Sequence, residues 1–495
     1  MNTLHTHAPA SSVEFTVKRL TSVKRLTAAV SIALALTMLG GCASAVRTPY
    51  QAPQTQAASA WQQRGAVDEV LADQWWRQFG DAELDRLIDE ALRKNNDLAV
   101  AGIKVRRAQL EAGLAADARV PALSASASST GSKYLSGSRS TVRSSSNAVS
   151  LSYEADLWGR LGANYDVKRW EALATEQDRE STALTLIGTT ANLYWQGAYL
   201  NQRIAVSQES ITYAQKTLDL VRTQYRAGSV SSLEMLEAEQ NLITQQSTHT
   251  ELIQQRVEND NALSILFDSP PGKLVALPAQ LPQQALPDLA AGLPAELLSR
   301  RPDLRAAELR LRESLASVDA TRANYYPKLT LTGSLGTSSD ALMRLVQNPL
   351  ASLGAQLTLP FLQWNEMKLN VKVSQADYDS AVTSFRQTLY SAFSDVENAL
   401  SARRQYAQQE VLLQRNLKAA QDAEKLYELR YRAGSVTLQS WLDQQEKRRT
   451  AETSLAEARL NRLKNQMTLY QAIGGDARVP SAELAQSGES SKSGS

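Results

Sequence analysis

The 495-residue sequence has one cysteine, Cys42, and three histidines. A single cysteine excludes any internal disulfide. His5 and His7 fall in what reads as a leader, so only His249 remains for the mature chain, where it is expected on an exposed helical face. That scarcity argues against histidine-based acid–base catalysis and against Cys/His metal centres. There is no phosphate-binding glycine loop and no nucleophile elbow, so the expectation is no catalytic residue, no metal ligand and no cofactor beyond a covalent lipid. Proline is absent between Pro121 and Pro270 and again between Pro360 and Pro480, which leaves room for very long helices. An excess of one charge is lacking too. The formal net charge of +2 includes +3 from the leader (Lys18, Arg19, Lys24, Arg25 and Glu14), leaving the mature chain near −1. Its basic pI therefore says nothing of nucleic acid, and no nucleic-acid partner is expected.

What is present is a repeat. Tyr-Arg-Ala-Gly-Ser-Val occurs at Tyr225–Val230 and at Tyr431–Val436, 206 positions apart. The same offset links Pro121 to Pro327, Leu151 to Leu357, Trp158 to Trp364 and Asp97-Leu98 to Asp303-Leu304. Residues 97–230 and 303–436 align without a gap, so the chain holds two copies of one unit. In each copy the hexapeptide interrupts a long proline-free stretch, as the turn of a helical hairpin would. Gly228 and Gly434 would supply the positive φ of such a turn.

The expected organisation follows the repeat. Residues 1–41 read as a signal peptide: a basic region, then an apolar run, Leu26–Leu39, too short for a comfortable membrane span. The run ends in Leu39-Gly40-Gly41-Cys42, which resembles a bacterial lipobox and implies cleavage before Cys42 and lipidation of it. Residues 42–80 read as an extended tether, 81–267 as the first copy, 268–292 as a proline-rich linker, 293–470 as the second copy and 471–495 as a polar tail.

Each copy switches twice from helical periodicity to strict alternation. Strands are expected at about 120–129, 148–158, 327–336 and 352–361, each near ten residues, the length a tilted strand needs to cross a bilayer. The Ser-, Gly- and Arg-rich stretches 129–148 and 336–351 read as loops. A helix from about Arg160 to Tyr225 would span roughly 95 Å at 1.5 Å per residue. Its seam is Leu184, Ile187, Ala191, Tyr194 and Ala198, matched in the second copy by Leu389, Phe393, Val396 and Leu400. Helices from Ser232 to about Leu266 and from Asn96 to Ala118 are shorter and together match the long one. Four strands cannot close a barrel, and open edges are not tolerated in lipid. A dimer would give a filled eight-strand barrel; a trimer gives twelve strands around an open lumen. Soluble hairpins packed on a core are the alternative.

Taken in order, several motifs resemble the outer-membrane factors of Gram-negative efflux systems, the TolC-like channels, in their lipoprotein branch. They are Trp75-Trp76 with Phe79, Asp156-Leu157-Trp158-Gly159-Arg160, Arg301-Pro302-Asp303-Leu304 and the two hexapeptides. The resemblance covers essentially the whole mature chain. It implies an α+β membrane protein: a homotrimer with a twelve-strand outer-membrane barrel continued by a periplasmic helical barrel. Such a duct is passive and docks with a periplasmic adaptor and an inner-membrane pump of the RND type. The tip and adaptor contacts would then be Tyr225, Arg226, Gly228, Tyr431, Arg432 and Gly434. In the family, acidic residues of the second copy line a constriction. Asp443 falls on one such position and Glu237 is its counterpart. Ser440, whose own counterpart is Glu234, departs from the two-acid pattern. Tyr431 would either close the tip through an inter-helix hydrogen bond or serve as a packing aromatic. A type I secretion duct shares the fold, and a structural coiled-coil lipoprotein is the remaining alternative.

Overall fold

The structure is a computed structural model and describes residues 46–54, 61, 74–133, 135–136, 141–272, 275–284, 286–287, 300–339 and 349–475. Cys42, the leader and the residues after 475 lie outside them. Among the described residues the first copy runs through α1 (Ala82–Lys94), α2 (Asn96–Asp117), β1 (Ala122–Lys133), β2 (Thr141–Ala155), α3 (Arg160–Arg226) and α4 (Ser232–Leu266). The second runs through α5 (Pro302–Ala323), β3 (Lys328–Ser339), β4 (Pro349–Thr358), α6 (Trp364–Arg432) and α7 (Leu438–Ala472). The pairs α2/α5, β1/β3 and α4/α7 have the same bounds at the 206-residue offset. The chain forms two compact units. Among the described residues, one holds the strands, within 46–53, 108–172 and 309–382; the other holds those within 54–107, 173–308 and 383–475.

In the strand unit the sheet order is β1-β2-β3-β4, antiparallel throughout. Pairing fixes two faces. One carries Ser124, Ser128, Ser150, Thr332, Ser334 and Ser352; the other carries Leu123, Val149, Leu151, Leu331, Leu335 and Leu353. The strands are longer at the hairpin ends than expected. Residues 129–133, 141–147, 336–339 and 349–351 are strand rather than loop, because the backbone ladder runs on through them to Lys133↔Thr141 and Ser145↔Ser339, with hydroxyls paired across it. Ser128 meets Ser146 at 2.9 Å, Ser129 meets Ser145 at 3.0 Å, and Thr337 donates to Asn147 at 2.6 Å. At the opposite ends the strands stop earlier than expected. Leu157 lies in a turn, and Pro360–Leu362 form a 3-10 turn.

The motif Asp156–Arg160 is this strand-to-helix joint. Asp156 accepts from the Leu161 and Gly162 amides at 3.0 and 2.8 Å, and Arg160 grips Glu154 at 2.7–2.9 Å. Trp158 donates to the Pro327 carbonyl and lies 4.8 Å from the Tyr326 ring. With exposed Phe361 and Trp364, these rings stand at the strand bases, where a membrane-spanning sheet places aromatics.

The tether reading of 42–80 is corrected at both ends. In the strand unit, Thr48 donates from its amide and hydroxyl to Asp319 at 2.8 and 2.7 Å, and Arg312 stacks over Tyr50. In the helix unit, Trp75–Phe79 form a 3-10 turn, with Trp75 fully buried and stacked on Tyr470 at 4.5 Å. Aromatics of this size carry too much apolar surface to be left in water.

The helix unit is built on the expected seams. Leu184, Ile187, Ala191, Tyr194 and Ala198, with Leu389, Val396 and Leu400, are all buried in one large cluster. Asp81 caps α1 by accepting from the Glu83 and Leu84 amides and also receives the Tyr194 hydroxyl at 2.8 Å. Such a cap is worth about 1 kcal/mol. Arg301 forks onto Asp303 and reaches Asp395 and the Ala472 carbonyl. His249 is half-buried rather than exposed, because it follows the α4 seam that includes Leu242, Gln245 and Leu252.

Candidate functional site

The two hexapeptides close both long hairpins in the same way. Gly228 and Gly434 both have φ +72°, with nothing near an added Cβ. The Gly228 amide donates to Tyr225 O and the Ser229 amide to Gln224 O; Gly434 and Ser435 repeat this on Tyr431 O and Arg430 O. This pair of hydrogen bonds satisfies two of the last carbonyls of the long helix, and only its left-handed residue requires glycine.

Each returning helix then starts on a hydroxyl cap. In copy one, Ser231 accepts from the Leu233 amide, and the Glu234 carboxylate takes the Ser231 amide at 2.7 Å and the Ser231 hydroxyl. Those bonds hold the Glu234 carboxyl below its usual range. In copy two, Thr437 accepts from the Ser440 amide, and the two hydroxyls lie 2.9 Å apart. Ser440 and Glu234 are thus the same cap position served by two chemistries. The sequence reading had Ser440 depart from a two-acid pattern and did not assign a cap to either residue; the signature Ser-x-x-Glu at Ser231 was the signal that could have found it.

Between the hairpins lies a second cluster: Leu218, Val221, Ala238 and Leu242 against Tyr431, Trp441 and Leu442. Tyr431 makes both an inter-helix hydrogen bond and an aromatic packing contact. Its hydroxyl donates to Gln224 Oε1 at 2.8 Å, and its ring stacks on Trp441 at 5.1 Å. Tyr213 meets Trp441 edge-on and donates to Glu428 at 3.1 Å, while Arg432 holds the other oxygen of Glu428. Trp441, Gln224, Tyr213 and Glu428 were missed from sequence. Tyr225, Arg226, Gly228, Arg432 and Gly434 are exposed at the turns. Asp443 is exposed and accepts from Gln439 at 2.7 Å. Glu237 is half-buried, and burial, then the charges of Glu234 and Asp443, hold its carboxyl above the usual range. The structure therefore brings Glu237, Glu234 and Asp443 within electrostatic reach of one another. Among the described residues no group of three His, Cys, Asp or Glu could hold a metal.

The profile of the family described as outer membrane efflux protein matches residues 87–267 and 293–475. The chain belongs to that family. It is 33% identical over 459 residues to the pyoverdine export outer membrane protein OpmQ of Pseudomonas aeruginosa, covering 90% of this chain and 96% of that one. It is 30% identical to the toxin and drug export protein A of Aggregatibacter actinomycetemcomitans, covering 92% and 98%. Among solved structures it matches the outer-membrane channel OprN at TM-score 0.78 and 26% identity, over 87% of this chain and 99% of that one. The fold is that of trimeric outer-membrane channels, α+β with four barrel strands per chain. The protein is accordingly an outer-membrane channel that serves as an exit duct for efflux, from a family of channels that work as trimers with pump partners.

Proposed function

We propose that three copies close a twelve-strand barrel, that the hairpin turns lie in the periplasm, and that Asp443 and Glu237 line a gate there. The observation that carries the gate is placement: half-buried Glu237 on α4 and exposed Asp443 on α7 stand beside the cluster that packs the two hairpins together, within electrostatic reach of each other. Threefold symmetry turns each carboxylate into a ring, which favours cations and repels anions in a narrow passage. The exposed turn residues, Tyr225, Arg226, Gly228, Arg432 and Gly434, offer the surface for a periplasmic adaptor, behind which an inner-membrane pump of the RND type supplies the energy. A lipid on Cys42 anchors the chain to the outer membrane beside its barrel. The cargo is set by the pump. A type I protein-secretion duct is the second reading, favoured by the relative named for toxin as well as drug export. Exchanging the partner pump while keeping this channel separates the two.

Single-channel conductance of wild type against Asp443→Ala tests the gate. A low wild-type conductance that rises in the variant is expected. Equal conductance in both would remove Asp443 from the gate and leave the channel.

A further inference from the structure

One face of the sheet turns from apolar to cationic toward the hairpin ends, and does so on one hairpin only. The face with Leu151, Leu331, Leu335 and Leu353 begins at the row Ala155, Leu329 and Leu357, next to the aromatic strand bases. In a membrane barrel this apolar face is the one that meets lipid. Followed toward the hairpin ends, the same face passes through a hydroxyl row, Ser129, Ser145 and Ser339. It ends on β1 and β2 in Arg143, paired with Gly131, and Lys133, paired with Thr141.

Height decides what those cations meet. Ala155 and Arg143 are 12 positions apart on β2, about 31 Å of height for a strand that rises about 3.4 Å per residue and tilts about 40°. Lys133, opposite Thr141, stands about 36 Å up by the same measure. The lipid-facing apolar band of such a barrel is about 25 Å tall. Both cations therefore clear the hydrocarbon and stand among the headgroups, where a charge on the lipid face costs little. Both are exposed, and among the described residues neither has an ion pair or a side-chain hydrogen bond. No Asp or Glu occurs between Asp117 and Glu154 to neutralise them. Arg143 faces Gly131, where an added Cβ would meet nothing within 4 Å. Lys133 is its diagonal neighbour, near enough for two long side chains to reach one anion. Ser129 and Ser145, whose hydroxyls lie 3.0 Å apart, flank the other side of that opening.

The second hairpin lacks this chemistry. The repeat counterparts of Lys133 and Arg143 are Ser339 and Pro349, so folding of the hairpin does not require the charges. We infer that Arg143 and Lys133, with the Ser129 and Ser145 hydroxyls, bind the phosphate of an anionic glycolipid in the outer leaflet, one site per chain. The guanidinium and the ammonium answer the phosphate charge. Of the two paired hydroxyls, one proton is left over to donate to a phosphate oxygen. The inference rests on the sheet being part of an outer-membrane barrel whose helices lie on the periplasmic side.

Native mass spectrometry of the full chain purified in detergent tests it, with diphosphoryl lipid A as the probe and its dephosphorylated form beside it. Diphosphoryl lipid A should bind wild type, and Lys133→Gln with Arg143→Gln should weaken it about thirtyfold, about fivefold for each charge removed. Lys328→Gln, which removes a cation from the opposite face of β3, should bind as wild type does. Equal binding by wild type and the double variant, or an equal loss in Lys328→Gln, would overturn the site. Binding of the dephosphorylated lipid as tightly as the diphosphoryl form would overturn the phosphate as the recognised group. Displacement by an equal concentration of inorganic phosphate would overturn the lipid as its source. Heat-modifiable migration and single-channel conductance monitor the barrel, and the variants should keep both. Should the double variant lose them, each single variant carries the same comparison. A wild type that shows neither would overturn the barrel itself, whatever lipid it binds.

Discussion

Replacing Trp441 by Ala isolates the packing of the hairpin ends. The side chain is 2% exposed, stacked on Tyr431 at 5.1 Å and 25°, and edge-on to Tyr213 at 6.2 Å and 82°. Its indole N–H has no hydrogen-bond partner, so the loss is one of packing and not of a broken bond. Removing a buried tryptophan costs about 3–5 kcal/mol, of which about 0.5–1.5 comes from the aromatic pairs. The cluster it belongs to is separate from the larger one around Trp75, Ile187 and Tyr194. The loss should therefore appear as local opening. At about 1.4 kcal/mol per decade, amide exchange across residues 211–242 and 427–442 should quicken by roughly two to three and a half orders of magnitude. Exchange around Ile187 and Leu463 should hold. Hydrogen exchange with peptide-level mass spectrometry reads both regions at once. Trp441→Phe keeps a ring over Tyr431 and should give a smaller rise. No rise at the hairpin ends, or an equal rise in both clusters, would refute the separation on which this reasoning depends.

Glu237 gives a pH dependence. Its carboxyl is held above the usual range by burial, then by Glu234 and Asp443. The closed hairpin ends therefore take up a proton more readily than separated ones, so closure strengthens as pH falls through the raised value and weakens above it. Conductance titrated downward from neutral pH should fall in wild type and show a flatter profile in Glu237→Gln; an identical profile in both would remove Glu237 from the gate. Thr48→Val should loosen the N-terminal segment on Asp319, since it removes the hydroxyl bond to the carboxylate at 2.7 Å and leaves only the amide bond at 2.8 Å. A hydrogen bond to a charged group is worth about 1.5–3 kcal/mol. Limited proteolysis should then cut sooner near residues 46–54, and unchanged cleavage would show that the remaining contacts, Arg47 with Asp166 and Arg312 over Tyr50, suffice.

Much of the fold was legible because its determinants are local. Helix lengths followed from proline-free stretches and from a seam of Leu184, Ile187, Ala191 and Tyr194, all of which are buried. The strand hairpins were legible in part. Alternation of Leu with Ser marked their centres, but their outer ends are serine, threonine and asparagine on both faces, and such residues read as loop. They are strand because the backbone ladder runs on through them to Lys133↔Thr141 and Ser145↔Ser339, with hydroxyl pairs such as Ser129 with Ser145 and Thr337 with Asn147, and cross-strand register is invisible in one sequence. Trp75 was quoted as a motif yet assigned to a tether, since its partner Tyr470 lies at the far end of the chain.

The hairpin ends were the least legible part, for a reason specific to a duplicated chain. The two hexapeptides are identical in sequence and in backbone, down to the φ of Gly228 and Gly434. Repetition therefore suggests one role for both. The structure separates them through residues outside the hexapeptide. Tyr431 stacks on Trp441 and donates to Gln224, whereas the positions equivalent to 441 and 224 hold methionine at 235 and arginine at 430. Two copies that fold alike need not meet their neighbours alike. A duplicated subunit in a threefold ring has two kinds of seam, and selection can act on one without touching the other. The differences between the copies, more than the motif they share, are where a gate can be built into such a chain.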